Sequence, residues 1–189
     1  QRQNIDNVTF ENNVPVTVYD KATDTYKDNT AWDVSAKQDK SIIAWYTRNS
    51  NGTLKVYIGS DSEIYGNVDS SYLFAWIGNS DKCTSTEMLT NMNLLHTVNV
   101  TNMQYMFVQT GLKAMTKLEL GTNFDTSNVT NMKAMFEAAG SDKLTTVNLG
   151  SNFNTEKVEN MSEMFAGFGY ESLTSLNLGT KFNTKNVTD

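Results

Sequence analysis

The sequence is short of the residues from which most catalytic and metal centres are built. Its 189 residues include one Cys, one His and one Pro. A single Cys excludes an intrachain disulfide framework and a Cys-based zinc centre. A single His excludes a His-clustered metal site. Positive charge is also scarce: 15 Lys and Arg stand against 21 Asp and Glu, a formal charge of −6. A nucleic-acid binder needs a basic stripe to displace counterions from phosphates, so this balance argues against one. No apolar run approaches the roughly 20 residues of a membrane-spanning helix, so no membrane insertion is expected. The chain begins at Gln1 without a Met or a signal peptide, which points to a trimmed N-terminus. The excess lies in 23 Asn and 24 Thr, a quarter of the chain. Both are poor helix formers that favour turns and caps. Yet 39% of residues are hydrophobic and 20 are aromatic, enough to bury a core. The length allows one domain or two small ones.

The chain repeats itself with a constant period of 29 residues. Val129-Thr-Asn131-Met132-Lys-Ala-Met135-Phe136 recurs as Val158-Glu-Asn160-Met161-Ser-Glu-Met164-Phe165 and as Val100-Thr-Asn102-Met103-Gln-Tyr-Met106-Phe107, and it restarts at Val187-Thr188. A second block keeps register: Leu118-Glu-Leu120-Gly121, Val147-Asn-Leu149-Gly150 and Leu176-Asn-Leu178-Gly179, followed by Phe124, Phe153 and Phe182 and by Thr126, Thr155 and Thr184.

Each unit has two halves of different periodicity. Val147 and Leu149 alternate with Thr146 and Asn148, the pattern of a half-buried strand. Val158, Met161, Met164 and Phe165 fall within one arc of about 120° at helical spacing, which predicts a short amphipathic helix. Thr155 or a neighbour is the expected N-cap, and Gly140 and Gly169 the expected stops. One unit cannot hide its apolar face alone, but stacked units can. The expectation is an α/β repeat solenoid, leucine-rich-repeat-like, with parallel short strands on one face, short helices on the other, and an N-terminal α+β capping region. The spacing L-x-x-L-x-L-x-x-N appears at Met115–Asn123 and Leu144–Asn152. A third copy, Leu173-x-x-Leu176-x-Leu178, ends in Lys181, which cannot accept a hydrogen bond as Asn does, so the ladder should weaken there.

Asn123-Phe124-Asp125-Thr126-Ser127-Asn128-Val129-Thr130-Asn131-Met132-Lys-Ala-Met135-Phe136 resembles the hallmark of the BspA-like surface repeat proteins of bacteria, a leucine-rich-repeat variant of mycoplasma and lactic-acid-bacteria type. Trp32-Asp33-Val34-Ser35, Ile43-Ala44-Trp45, Val56-Tyr57-Ile58-Gly59 and Ser70–Phe74 are similar to the stretch that precedes the repeats, so the resemblance covers about residues 31–189. It implies extracellular display on a bacterial cell surface and a role in adhesion or protein interaction, with a host or sister-cell surface protein or glycan as partner. It implies no enzyme activity and supplies no catalytic, cofactor-binding or metal-binding residue. The unit near Met88–Leu95 departs from the pattern, with Asn91 where others carry Leu120 or Leu149.

The expected organisation is a linker or edge strand over 1–30, an N-terminal cap with a degenerate repeat over 31–88, and 29-residue repeats over 89–189, three full and a fourth truncated. Trp32, Trp45, Tyr72, Phe74 and Trp76 supply apolar area for the cap. Asn51-Gly52 is a hairpin signal. Because Asp189 falls inside a repeat block, the natural protein is expected to continue.

Candidate chemistry weighs poorly against structural readings. His96 shares a column with Asp125, Asn154 and Asn183 and reads as a surface turn. Cys83 has only Lys82 nearby to lower its pKa and reads as a spectator. Met103, Met106, Met132, Met135, Met161 and Met164 read as core filler. The sequons at Asn7, Asn51, Asn99, Asn128 and Asn186 are largely one repeat column. The Asp-rich turns (Asp20 to Asp24, and Asp125) lack a calcium-loop pattern. No cofactor is expected. What remains is a surface: Lys117, Glu119, Thr146, Asn148, Ser175 and Asn177 occupy outward strand positions and form the candidate interaction face. Two alternatives stand beside an interaction module: a structural spacer, and a glycan-binding module using Trp32, Trp45 and Trp76.

Overall fold

A computed structural model describes residues 2–189. Among them the chain forms short strands: β1 (Ile5–Glu11), β2 (Tyr19–Asp20), β3 (Thr25–Tyr26), β4 (Ala31–Asp33), β5 (Ile43–Arg48), β6 (Leu54–Gly59), β7 (Ile64–Tyr65), β8 (Leu89–Thr90), β9 (Leu95–His96), β10 (Lys117–Glu119) and β11 (Thr146–Asn148). The only helical pieces among the described residues are 3₁₀ turns at Arg2–Asn4 and Met92–Leu94.

The largest sheet is mixed and ordered β4-β5-β6-β1-β8. β5 and β6 form the hairpin that Asn51-Gly52 signals: Asn51 Oδ1 accepts from the Thr53 N–H and hydroxyl, and Gly52 takes φ 83. β1 runs parallel to both β6 and β8, between them. The N-terminal residues, expected as a linker or edge strand, therefore supply an inner strand, because Val8 and Phe10 are buried in the main core. Within the same stretch the chain turns at Pro15–Val18, where Val18 N–H and Tyr19 N–H both donate to the Pro15 carbonyl.

The expected α/β solenoid with short helices is overturned. The run from Met132 to Ala139 is a string of tight turns. The N–H groups of Met135, Glu137 and Ala139 donate three residues back, to Met132, Ala134 and Phe136, at 3.1, 3.2 and 3.0 Å. Those of Met132, Ala134, Phe136 and Ala138 donate sideways, to Asn160, Ser162, Met164 and Ala166, at 2.9, 2.8, 2.9 and 2.7 Å. An α-helix would send every donor four residues back along the same segment. Here Ala134 and Ala138 adopt φ 49 and 51, left-handed values that end any right-handed helix. The 103–109 run does the same toward Asn131, Lys133, Met135 and Glu137. The apolar positions still face inward, because tight turns also return Met132, Met135 and Phe136 to one side. Periodicity of apolar residues thus could not separate a helix from a turn run.

Thr155, expected as a helix N-cap, has another task. Thr97, Thr126 and Thr155 are buried, and their hydroxyls donate to the carbonyls of Asp125, Asn154 and Asn183 at 2.9, 2.7 and 2.6 Å. Thr126 and Thr155 hydroxyls also accept the Asn154 and Asn183 N–H groups. The Asn column works both locally and between units: the Oδ1 atoms of Asn102, Asn131 and Asn160 accept the N–H two residues on, and their amides donate to the side chains of Asp69, Gln104 and Asp189.

The main core runs from Val8 and Phe10 to Phe168. Its spine is a ring ladder: Phe74–Phe107 at 5.4 Å, Phe107–Phe136 at 5.2 Å and Phe136–Phe165 at 5.5 Å, the last two within 2° of parallel. Met103, Met106, Met132 and Met135 are fully buried beside it. Of the expected cap aromatics, Trp45 and Phe74 are buried, whereas Trp32, Tyr72 and Trp76 remain 43%, 37% and 37% exposed.

Candidate interaction face

β10 and β11 pair parallel, with Lys117 opposite Thr146, Leu118 opposite Val147 and Glu119 opposite Asn148. Leu118 points into the core, so alternation turns Lys117, Glu119, Thr146 and Asn148 outward. Four of the six residues expected to form the face are therefore brought into one register. Ser175 and Asn177 are exposed but lie in a segment that forms no strand. The expected weakening at Lys181 is not seen in the backbone: the Lys181 carbonyl accepts the Thr155 N–H at 3.3 Å, as the Asn123 and Asn152 carbonyls accept those of Thr97 and Thr126. Asn123 and Asn152 amides donate to the carbonyls of Asn93 and Thr122, whereas Lys181 Nζ reaches the Asn152 side chain at 3.3 Å.

The face opens onto a concavity of about 290 Å³ lined by Glu87, Thr90, Asn91, Asn93, Lys117 and Glu119. Lys117 Nζ lies 3.1 Å from Glu119 Oε2 and 3.2 Å from Glu87 Oε1. Hydrogen bonds to Glu119 and Glu87 raise its pKa further, so it stays an ammonium. The pairs are half-exposed, so screening by water leaves each of them weak. Their effect is positional: one cation is held between two carboxylates, leaving a local charge of one negative unit. Sequence reasoning missed Glu87, Thr90, Asn91 and Asn93 because they fall in the degenerate unit. Asn91, in a Leu column, is not a strand residue. It takes φ 57 before the second 3₁₀ turn, and its amide donates to the Phe10 carbonyl at 3.0 Å.

The other candidates are dispersed. The His96 ring lies 5.0 Å from the Tyr65 ring, with its Nε2 3.3 Å from the Asn123 amide. Cys83 is buried, its thiol donates to the Gln3 carbonyl, and burial, with Asp6 nearby, pushes it up to about 11. Trp32 and Trp45 sit on the paired strands β4 and β5, whereas Trp76 packs against Tyr72, which in turn stacks on Tyr105. The sequon amides of Asn7, Asn51, Asn128 and Asn186 donate to carbonyls of Glu87, Lys82, Val98 and Glu156. In the first Asp-rich turn, Lys27 and Lys40 hold Asp20 and Asp24. Among the described residues no three His, Cys, Asp or Glu side chains are grouped to hold a metal ion. No described helix is long and apolar enough to cross a membrane.

Residues 79–189, more than half of the chain, match the family described as "Mycoplasma protein of unknown function, DUF285". No curated protein and no solved structure matches.

Proposed function

We propose that this chain, which belongs to the DUF285 family, is a non-enzymatic module displayed on a bacterial cell surface, where it mediates adhesion or protein interaction in the way its BspA-like resemblance implies. The observation that supports the reading is the polar face of β10 and β11 with the acid-flanked concavity beside it. Its residues are short or half-exposed, and its outward groups offer both donors and acceptors. A partner of stated chemistry follows: a protein surface that presents a basic side chain to Glu87 and Glu119. The partner is expected on a host or sister cell.

Binding of the folded chain to immobilised fibronectin, to mucin and to sister cells tests the reading, with Glu119→Lys and Asn148→Ala as variants. Binding to one of them, weakened about tenfold or more by Glu119→Lys, is the expected result. Absence of binding to all three, or binding indifferent to both variants, overturns it. The repeated bonds between successive units favour one other reading, a spacer that projects another domain. Deletion of one 29-residue unit separates them: a spacer keeps its display, and a specific binder loses affinity.

A further inference from the structure

The ion pairs of the polar face are confined to one rung of it. Lys117 stands in register with Thr146, and Glu119 with Asn148. The same columns continue in the sequence as Ser175 and Asn177. The repeat therefore needs no charge at either position, since later units carry small neutral side chains there. A cation and two carboxylates meet only where β10 adjoins the preceding unit, which contributes Glu87. Bonds from the Thr116 and Lys117 N–H groups to the Thr86 carbonyl, at 2.9 and 3.3 Å, hold that unit alongside.

Lys117, Glu87 and Glu119 all line the concavity. Their side chains keep 36%, 46% and 49% of their surface exposed. No burial locks the ammonium in place, and water screens both pairs, so another cation can take its position. The rim around them is rich in acceptors. Asn91 spends its amide N–H on the Phe10 carbonyl, and the Asn93 carbonyl accepts from the Asn123 amide. Among the described residues the side-chain oxygens of Asn91 and Asn93, both exposed, accept no hydrogen bond. The concavity thus offers more acceptor oxygens than the three N–H donors of one ammonium use.

We propose that Lys117 is the resident occupant of a cation slot between Glu87 and Glu119, which a partner has to displace, and that this makes the face select an arginine of the partner over a lysine. The inference rests on the proposed protein-binding face and names the group that the face takes. A partner lysine exchanges one ammonium for another and gains nothing by the exchange. A guanidinium brings five N–H donors in a planar fork and is more weakly hydrated than an ammonium. It meets one carboxylate with two parallel bonds and has donors left for the second carboxylate and the Asn oxygens. Lys117 is thereby a specificity-determining residue: its own charge sets the threshold that only the better-matched cation passes.

Titration of the folded, isotope-labelled chain with acetyl-Gly-Arg-Gly-amide and with acetyl-Gly-Lys-Gly-amide, followed by the amide chemical shifts of Glu87, Asn91 and Glu119, tests this. The arginine peptide should bind about fivefold more tightly than the lysine peptide, roughly the strength of one ion pair in water. In Lys117→Gln the lysine peptide should gain about fivefold, the effect of removing one like charge at about 4 Å in water. The preference for arginine should then fall to within about twofold. Lys113→Gln, which removes the same charge from the Asp142 pair, should leave the preference intact. Glu87→Gln combined with Glu119→Gln should abolish the shifts, with the rest of the amide spectrum checking that each variant is folded. The inference is overturned by no saturable shift at these amides with either peptide, by equal binding of the two peptides to the unchanged chain, or by a preference that survives Lys117→Gln. The peptides are independent of the adhesion assay, so a chain that fails to adhere yet selects arginine through Lys117 counts against the adhesion reading alone.

Discussion

At the scale of the residue, the abundant Asn and Thr are structural bonds. Thr126 is fully buried, and its hydroxyl both donates to the Asn154 carbonyl and accepts the Asn154 N–H. Thr126→Val keeps the shape and removes both bonds, leaving the N–H and carbonyl of the half-buried Asn154 without these partners. The expected loss of unfolding free energy is about 1–3 kcal/mol, measured by denaturant titration, with Thr126→Ser losing less because the hydroxyl remains. Equal losses for the two would refute the role given to the hydroxyl. Cys83 carries a pH argument. Burial favours the neutral thiol and pushes it up to about 11. The folded state therefore binds that proton more tightly than the unfolded state. This contribution to stability is complete below the ordinary thiol value and is lost as pH rises through about 11. Native protein should thus react sluggishly with iodoacetamide near about pH 8, where the reactive thiolate is rare. Rapid labelling there would show that the thiol is not sheltered.

At the scale of the element, backbone conformation decides more than side-chain pattern. Gly52 and Gly121 both take left-handed φ, at 83 and 81, but their surroundings differ. A methyl group on Gly52 would meet nothing within 4 Å, whereas one on Gly121 would stand 2.6 Å from the Asn93 backbone N. Gly52→Ala should cost about 1–2 kcal/mol from backbone strain alone. Gly121→Ala should cost more, because backbone has to move, and it should disturb the concavity that Asn93 and Lys117 line. Thermal unfolding of the two variants checks the order. Two of the strand halves were legible in the sequence: Leu118 and Val147 alternate with polar neighbours and form β10 and β11, whereas the same pattern around Leu176 forms no strand. The turn halves were not. Met132, Met135 and Phe136 have a spacing that suits a helix, and the evidence against one lies in the acceptors, which sit 28 residues away along the chain in the next unit. The concavity was half legible. Lys117 and Glu119 were found by their outward strand positions, whereas Glu87 and Asn91 sit in a unit whose register had slipped.

At the scale of the whole molecule, one core links the N-terminal sheet to the units, and the Phe ladder is its spine. Phe136 is fully buried and touches the rings of Phe107, Phe153, Phe165 and Phe168. Phe136→Ala should cost about 3–5 kcal/mol. Phe165 lies at the end of the ladder and is only half-buried, so Phe165→Ala should cost roughly half as much, since part of its cavity opens to water. Denaturant midpoints of the two variants check this, and equal losses would contradict a ladder with a buried middle and an open end. By itself the sequence determined the 29-residue period, the polar face at Lys117 and Glu119, the apolar columns that fill the interior, and the hairpin at Asn51-Gly52. These depend on spacing and on local turn chemistry, which act within one segment. Only the tertiary structure decided that the second halves are turns instead of helices, that β1 lies inside the sheet, and that Glu87 meets Lys117 from the preceding unit. Each of these depends on where a backbone donor or a side chain meets a partner distant in sequence, and no single segment carries that information.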